Sequence, residues 1–224
     1  MHYRIHFVHP ALFSVALKAL GPCLTLREFQ ARSGIRGETT ARDVLGYLVR
    51  KGIGQRSKSK YSFSKSDKIT LAILALQNGG DLETISRALS WQDFEAFASS
   101  LLNLAGYMSE CNLYLSNPYR MQIDVIGVNH KSRLVVAVDC KHWRKNHLSS
   151  MLNHARKQAM RSIELLKCRL NFFQAVPIVL TLYPMNIQLV EGTPIVPVSK
   201  FNSFIQELPV SLYKINVLSI NTNA

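Results

Sequence analysis

The stretch MQIDVIGVNHKSRLVVAVDCK, residues 121–141, constrains the fold of this chain more than any other. Two short apolar runs, MQIDVIGV and LVVAVDCK, flank the polar NHKSR. Short Val/Ile/Leu-rich runs bounded by turn residues predict two buried antiparallel strands joined as a hairpin. The second run ends in Asp139 and Lys141, two positions apart. Alternate residues of a strand share a face, so Asp139 and Lys141 point the same way, behind Val135 and Ala137, while Cys140 points to the other side. Asp124 lies within the first run, and hairpin pairing brings it near Asp139. Buried charges are costly unless paired, so packing alone does not account for two acids and a lysine here. Two neighbouring carboxylates repel unless a proton or a cation intervenes. A hard divalent ion such as Mg2+, which takes one or two carboxylates together with water and phosphate, suits that need.

Charge sets the next boundary. The chain has 27 Lys+Arg against 14 Asp+Glu, a formal net charge of +13. Basic residues cluster in two blocks, 50–68 and 141–169. Such blocks favour a polyanion, since basic proteins gain affinity by displacing the counterions of nucleic acid. No apolar run is long enough for a membrane span, and no anchor or lipidation motif accompanies the basic blocks, so no membrane partner is expected. The start, MHYRIHFVHPALF, lacks the apolar core of a signal peptide, which places the expected location in the cytoplasm. The cysteines Cys23, Cys111, Cys140 and Cys168 are far apart and show no zinc-ligand spacing.

The first third reads as helices at 11–20, from Thr25 to Gly34, and at 39–51. Thr25 and Glu28 have capping-box spacing. The third helix has an apolar face (Ala41, Val44, Leu45, Leu48, Val49) opposite Thr39, Arg42, Asp43, Gly46 and Arg50. A basic, serine-rich hairpin follows in GIGQRSKSKYSFS. Three helices and a basic hairpin over residues 10–65 resemble a winged helix-turn-helix domain. The resemblance implies that helix 39–51 enters the major groove, with Arg42 and Arg50 meeting bases or phosphates and Arg56, Lys58 and Lys60 meeting phosphates. The alternative is a small helical domain packing against a partner. Residues 67–89 read as a helical connector, or equally as a dimerisation helix, because LAILAL is apolar on more than one side.

SWQDFEAFASSLLNLAGY reads as a helix with Ser90 as N-cap, Gly106 as stop, and Phe94, Phe97, Leu101 and Leu104 buried. Glu95 sits beside that apolar face and by itself reads as a rim residue. Beyond the hairpin come a basic helix at 146–168, proline-punctuated strands in AVPIVLTLYP and GTPIVPVS, and a final helix with Ser199 as cap. Arg156, Lys157 and Arg161 read as phosphate-backbone contacts, and His154 and Gln158 lie one turn apart.

Taken in order, the FE-containing helix ending in Gly-Tyr, the acid in a strand, the turn and the apolar strand ending in D-x-K resemble the PD-(D/E)xK, restriction-endonuclease-like nucleases. The resemblance spans about residues 88–210 and lies nearest the Mrr-type and archaeal Holliday-junction-resolvase branches. Ile123 stands where the motif name has proline, and Asp139 where many relatives have glutamate. The resemblance implies a mixed central sheet flanked by helices, with Asp124, Asp139 and the Cys140 carbonyl on Mg2+, or Mn2+ in its place. It further implies that Lys141 orients or activates the attacking water, and that Glu95 serves a second metal or its water. The RecB-like branch carries a helical Gln followed four residues later by Tyr; here Gln158 is followed by Ser162.

The expected protein is thus α/β: a winged-helix domain at 1–66, a connector at 67–89 and a nuclease-like domain at 90–224. The expected activity is metal-dependent DNA endonuclease, of restriction or repair type. The readings set against it are a winged-helix DNA-binding regulator with a silent nuclease-like half and an RNA-directed or structure-specific nuclease. Cutting both strands of a duplex takes two active sites, which a homodimer would supply.

Overall fold

A computed structural model describes residues 9–116, 120–141, 148–168 and 174–219. The protein is α/β and divides into two compact units, Met1–Asp93 and Phe94–Ala224. The Asn117-Pro118 turn, His142, Trp143, Arg144, Lys145 and Arg169 lie outside the described residues.

The first unit contains α1 (Ala11–Leu17), β1 (Leu24–Thr25), α2 (Leu26–Ser33), α3 (Glu38–Arg50), β2 (Gln55–Ser57), β3 (Lys60–Ser62), α4 (Lys65–Gln77) and α5 (Leu82–Arg87). The capping box forms as its spacing predicts: the Thr25 side chain accepts from the Glu28 N–H, and the Glu28 carboxylate accepts from the Thr25 N–H at 2.7 Å. Gly34 ends α2 in the left-handed region at φ 74°. The apolar stripe of α3 buries Ala41, Val44, Leu45 and Leu48, so Arg42 and Arg50 stay exposed on the outer side. The hairpin β2–β3 closes through Lys58 and Ser59, and β1, absent from the sequence reading, pairs with β3 to give the order β1-β3-β2. Tyr61 and Phe63 are its buried anchors.

Residues 67–89 are not a free connector. Ser64 and Asp67 form a second capping box that starts α4 earlier than expected, and Asp81 caps α5 by accepting from Thr84 N–H at 2.7 Å. Both helices pack against α1, with Leu71, Ala72, Ala75 and Ile85 fully buried. Of the LAILAL run, Leu71, Ala72 and Ala75 are buried within the first unit, and Ile73, Leu74 and Leu76 are half-buried.

The boundary between the units falls within α6 (Trp91–Leu104). The second unit continues with β4 (Met108–Leu115), β5 (Met121–Asn129), β6 (Leu134–Lys141), α7 (Leu148–Cys168), β7 (Gln174–Thr181), β8 (Leu189–Val190), β9 (Thr193–Pro197), α8 (Val198–Ser211), a 3-10 turn (Leu212–Lys214) and β10 (Leu218–Ser219). Among the described residues the sheet runs β4-β5-β6-β7-β9-β8, with β10 against β7. The hairpin β5–β6 is antiparallel, whereas β6 and β7 are parallel. A parallel pair needs a crossover, and α7 supplies it. Pro197, not Ser199, occupies the N-cap of α8.

The register assigns a face to every residue of the hairpin. Gly127 is opposite Val136, and a Cβ at Gly127 would lie 3.0 Å from Leu102 Cδ1 of α6. Val125, Gly127, Val136, Val138 and Cys140 therefore face α6. Ile126, Val128, Val135 and Ala137 pack instead with Leu165 and Leu166 of α7. Asp139 and Lys141 continue this second row.

Candidate active site

Pairing of β5 with β6 runs down to Val125 opposite Val138. One step further stand Asp124 and Asp139. There the Asp124 side chain takes the place of a ladder partner: its Oδ2 accepts the Cys140 N–H at 2.9 Å. That bond turns the carboxylate toward the end of β6. Asp139, 2% exposed, is held by cations. Its Oδ1 accepts from Lys141 Nζ at 2.8 Å and from Arg161 Nη1 at 3.1 Å. His154 Nδ1 stands 3.5 Å from Oδ2, an ion-pair distance longer than an ordinary hydrogen bond. Oδ2 is buried and takes no hydrogen bond among the described residues. The His154 nitrogen beside it favours the charged carboxylate.

The two acids are electrostatically unlike. Burial raises Asp124, and the charge of Asp139 raises it further; the Cys140 N–H, Lys141 and Arg161 oppose this without cancelling it. Burial also pushes Asp139 upward, but His154, Lys141 and Arg161 together outweigh it and hold the group below the ordinary aspartate range. Asp139 is thus the more readily ionised of the pair and Asp124 the less. Cys140 is fully buried on the other face, where desolvation, then Asp124, Glu95 and Asp139, keep its thiol protonated.

Glu95 departs from the expectation of a rim residue. It is 6% exposed, and its carbonyl oxygen lies 3.9 Å from Cys111 Sγ. Its charge raises the thiols of Cys111 and Cys140. Asp124, Asp139 and Lys141 come together on the α7 face, and among the described residues no three His, Cys, Asp or Glu side chains gather as a metal-holding group. Leu104, expected in the α6 core, is exposed, while Ala98 and Leu102 are buried in its stead.

Asp124 and Asp139 offer carboxylate oxygens only, and Asp139 Oδ2 has His154 Nδ1 at 3.5 Å as its neighbour. Such oxygens fit a hard cation which keeps water and phosphate among its ligands. The site also recruits residues of α7. His154 and Arg161, seven positions apart, both reach Asp139. Gln158 lies on the same helical face between them, fully buried, with neither amide atom hydrogen-bonded among the described residues. The i, i+4, i+7 spacing of His154, Gln158 and Arg161 is visible in the sequence. The meeting of His154 and Arg161 at Asp139 depends on the crossover that lays α7 across β6.

The basic residues of the chain differ in availability. Arg42 pairs with Glu38, and Arg50 lies back over Gly46, its Nη1 3.3 Å from the position of a Cβ there. In the hairpin, Arg56 donates to the Lys58 carbonyl and stacks over Tyr61, Lys58 occupies the turn at φ 52°, and Lys60 is exposed. A recess of about 370 Å³ beside these residues is lined by Ser57, Lys58, Ser59, Lys60 and Ser62, with Cys23 and Tyr61. In the second unit Arg156 is bound to Glu191 through both Nε and Nη2, and Lys157 is exposed.

No helix among the described residues is long and apolar enough to cross a membrane. No protein-family model and no curated protein matches the chain. Among solved structures it is similar to protein VC1899 from Vibrio cholerae, at 12% identity and a TM-score of 0.40, over 92% of this chain and 51% of that one. The chain therefore spans about half the length of that protein.

Proposed function

We propose that this chain is a metal-dependent DNA endonuclease of the restriction-endonuclease-like kind, with the first unit supplying affinity for the duplex. The observation that supports this is the meeting of Asp124, Asp139 and Lys141 on one sheet face, with a buried carboxylate oxygen on Asp139 that His154 approaches to 3.5 Å. Asp124, Asp139 and the Cys140 carbonyl would hold Mg2+, or Mn2+ in its place. Such an ion, when bound, supplies Lewis-acid polarisation of the phosphoryl oxygen and a more acidic water. The chain's own groups do the rest. Asp124 and Asp139 set where the scissile phosphate docks. Lys141, 14% exposed at its side chain and anchored on Asp139, presents its ammonium charge to the phosphate as negative charge builds there. Glu95, buried on α6, would serve a second metal or its water.

The reading is tested by incubating the purified protein with supercoiled plasmid in Mg2+ or Mn2+ and then in EDTA. Nicking or linearisation is expected with metal and not with EDTA, and Asp139→Asn and Lys141→Ala are each expected to abolish it. Cutting that persists in both variants would place the site elsewhere.

One observation favours a second reading, a DNA-binding regulator with a silent nuclease-like half. Asp139 is paired with both Lys141 and Arg161. Duplex binding with no cutting under either metal supports that reading instead.

A further inference from the structure

We infer that Arg161 grips the phosphate that reacts, as distinct from the flanking backbone contacts supplied by Lys157 and other surface cations; this rests on the nuclease reading above for the identity of that phosphate. Arg161 Nη1 donates to Asp139 Oδ1 at 3.1 Å, and among the described residues Asp139 is its only ion-pair or hydrogen-bond partner. A guanidinium has five donors in a planar fork. One of them fixes the head group beside the carboxylates, and the side chain remains 27% exposed. The other edge of the fork is therefore held next to the two acids, in position for the paired oxygens of a phosphodiester.

Its neighbours on α7 are used differently. Arg156 is bound to Glu191 on the exposed surface. Lys157 is exposed. Within the basic stretch of α7, Arg161 alone among the described arginines and lysines touches a site carboxylate. The arrangement also balances charge. Two carboxylates facing an incoming phosphate would repel it, and Lys141 and Arg161 offset that repulsion from the strand side and the helix side.

The test compares full-length wild type, Arg161→Ala and Arg161→Lys for binding to a labelled duplex by fluorescence anisotropy across a salt series, with Ca2+ as the divalent ion. Arg161→Ala is expected to weaken binding roughly tenfold and to lower the slope of log K against log salt by about one. Arg161→Lys is expected to restore the slope, because the charge is kept, while plasmid cutting stays impaired because the fork is missing. Thermal melting of each variant separates this from a packing role, which would shift the melting temperature without changing the salt slope. An unchanged slope in Arg161→Ala overturns the inference, whatever happens to the melting temperature. Wild type that cuts, with an unchanged slope in Arg161→Ala, removes Arg161 and leaves the nuclease. Loss of slope in a protein that never cuts removes the nuclease and leaves the phosphate contact.

Discussion

At the residue scale the two aspartates do different work although they stand side by side. The folded-state pKa of Asp124 lies above the ordinary value of 3.8, raised by burial and then by Asp139. A group raised in this way contributes stability below its unfolded value and loses it as pH rises through its folded value. A cation needs the ionised form, so Mn2+ affinity is expected to tighten as pH rises through that same interval above 3.8. Calorimetric titration across pH checks this, and Asp124→Asn is expected to remove the step. Gln158 offers another handle. A fully buried amide with neither atom bonded to described residues needs a polar occupant beside it. Gln158→Met, which keeps the volume and drops the amide, is expected to change stability by less than about 1.5 kcal/mol while lowering plasmid cutting. Equal activity in the variant and wild type would leave Gln158 outside the site.

At the element scale, helices and strands are fixed by their ends and by one close approach. Ser64 and Asp67 start α4, and Asp81 starts α5. Ser64→Ala is expected to cost about 1 kcal/mol in urea unfolding. The Asp67 carboxylate, raised by burial but lowered more by the Ser64 hydroxyl and N–H, lies below its ordinary value, and Thr84 lowers Asp81 likewise. Depressed carboxylates stabilise above the unfolded value near 3.8 and lose that contribution as pH falls through their folded values, so helical circular dichroism should fade over that acid range. The close approach is at Gly127. A Cβ there would meet Val136 Cγ2 at 2.9 Å and Leu102 Cδ1 at 3.0 Å. Gly127→Ala is expected to destabilise by about 1–3 kcal/mol through overpacking between β5 and α6.

For the whole molecule, the excess of positive charge is the property that reaches furthest. A formal net charge of +13 favours polyanions at any orientation, but affinity depends on which cations remain uncommitted. On α3, Arg42 is paired with Glu38, and Asp43 follows it in the chain. The hairpin Gln55–Ser62 presents Arg56, Lys58 and Lys60 with no acid among them. Replacing those three with alanine is expected to reduce the salt slope of duplex binding by about three, one for each phosphate that no longer meets a cation. Arg42→Ala is expected to leave the slope nearly unchanged. The reverse result would assign the proposed duplex contact to α3 and not to the hairpin.

Short-range patterns were legible without coordinates. The T-x-x-E spacing marked the start of α2, Ser90 marked a later helix start, and apolar runs around NHKSR marked the β5–β6 hairpin, because capping and strand alternation depend on residues only a few positions apart. The same alternation put Asp139 and Lys141 on one face and Cys140 on the other. Nothing local could show that residues 67–89 close the core of the first unit, since LAILAL reads equally as an internal or an external surface. Nor could it show that Glu95 is buried, or that His154 and Arg161 meet Asp139. Alternation, capping and turning are thus written into the order of the residues. Which helix covers which sheet face was settled only in three dimensions, because it follows from the parallel crossover through α7, which joins segments far apart in the chain.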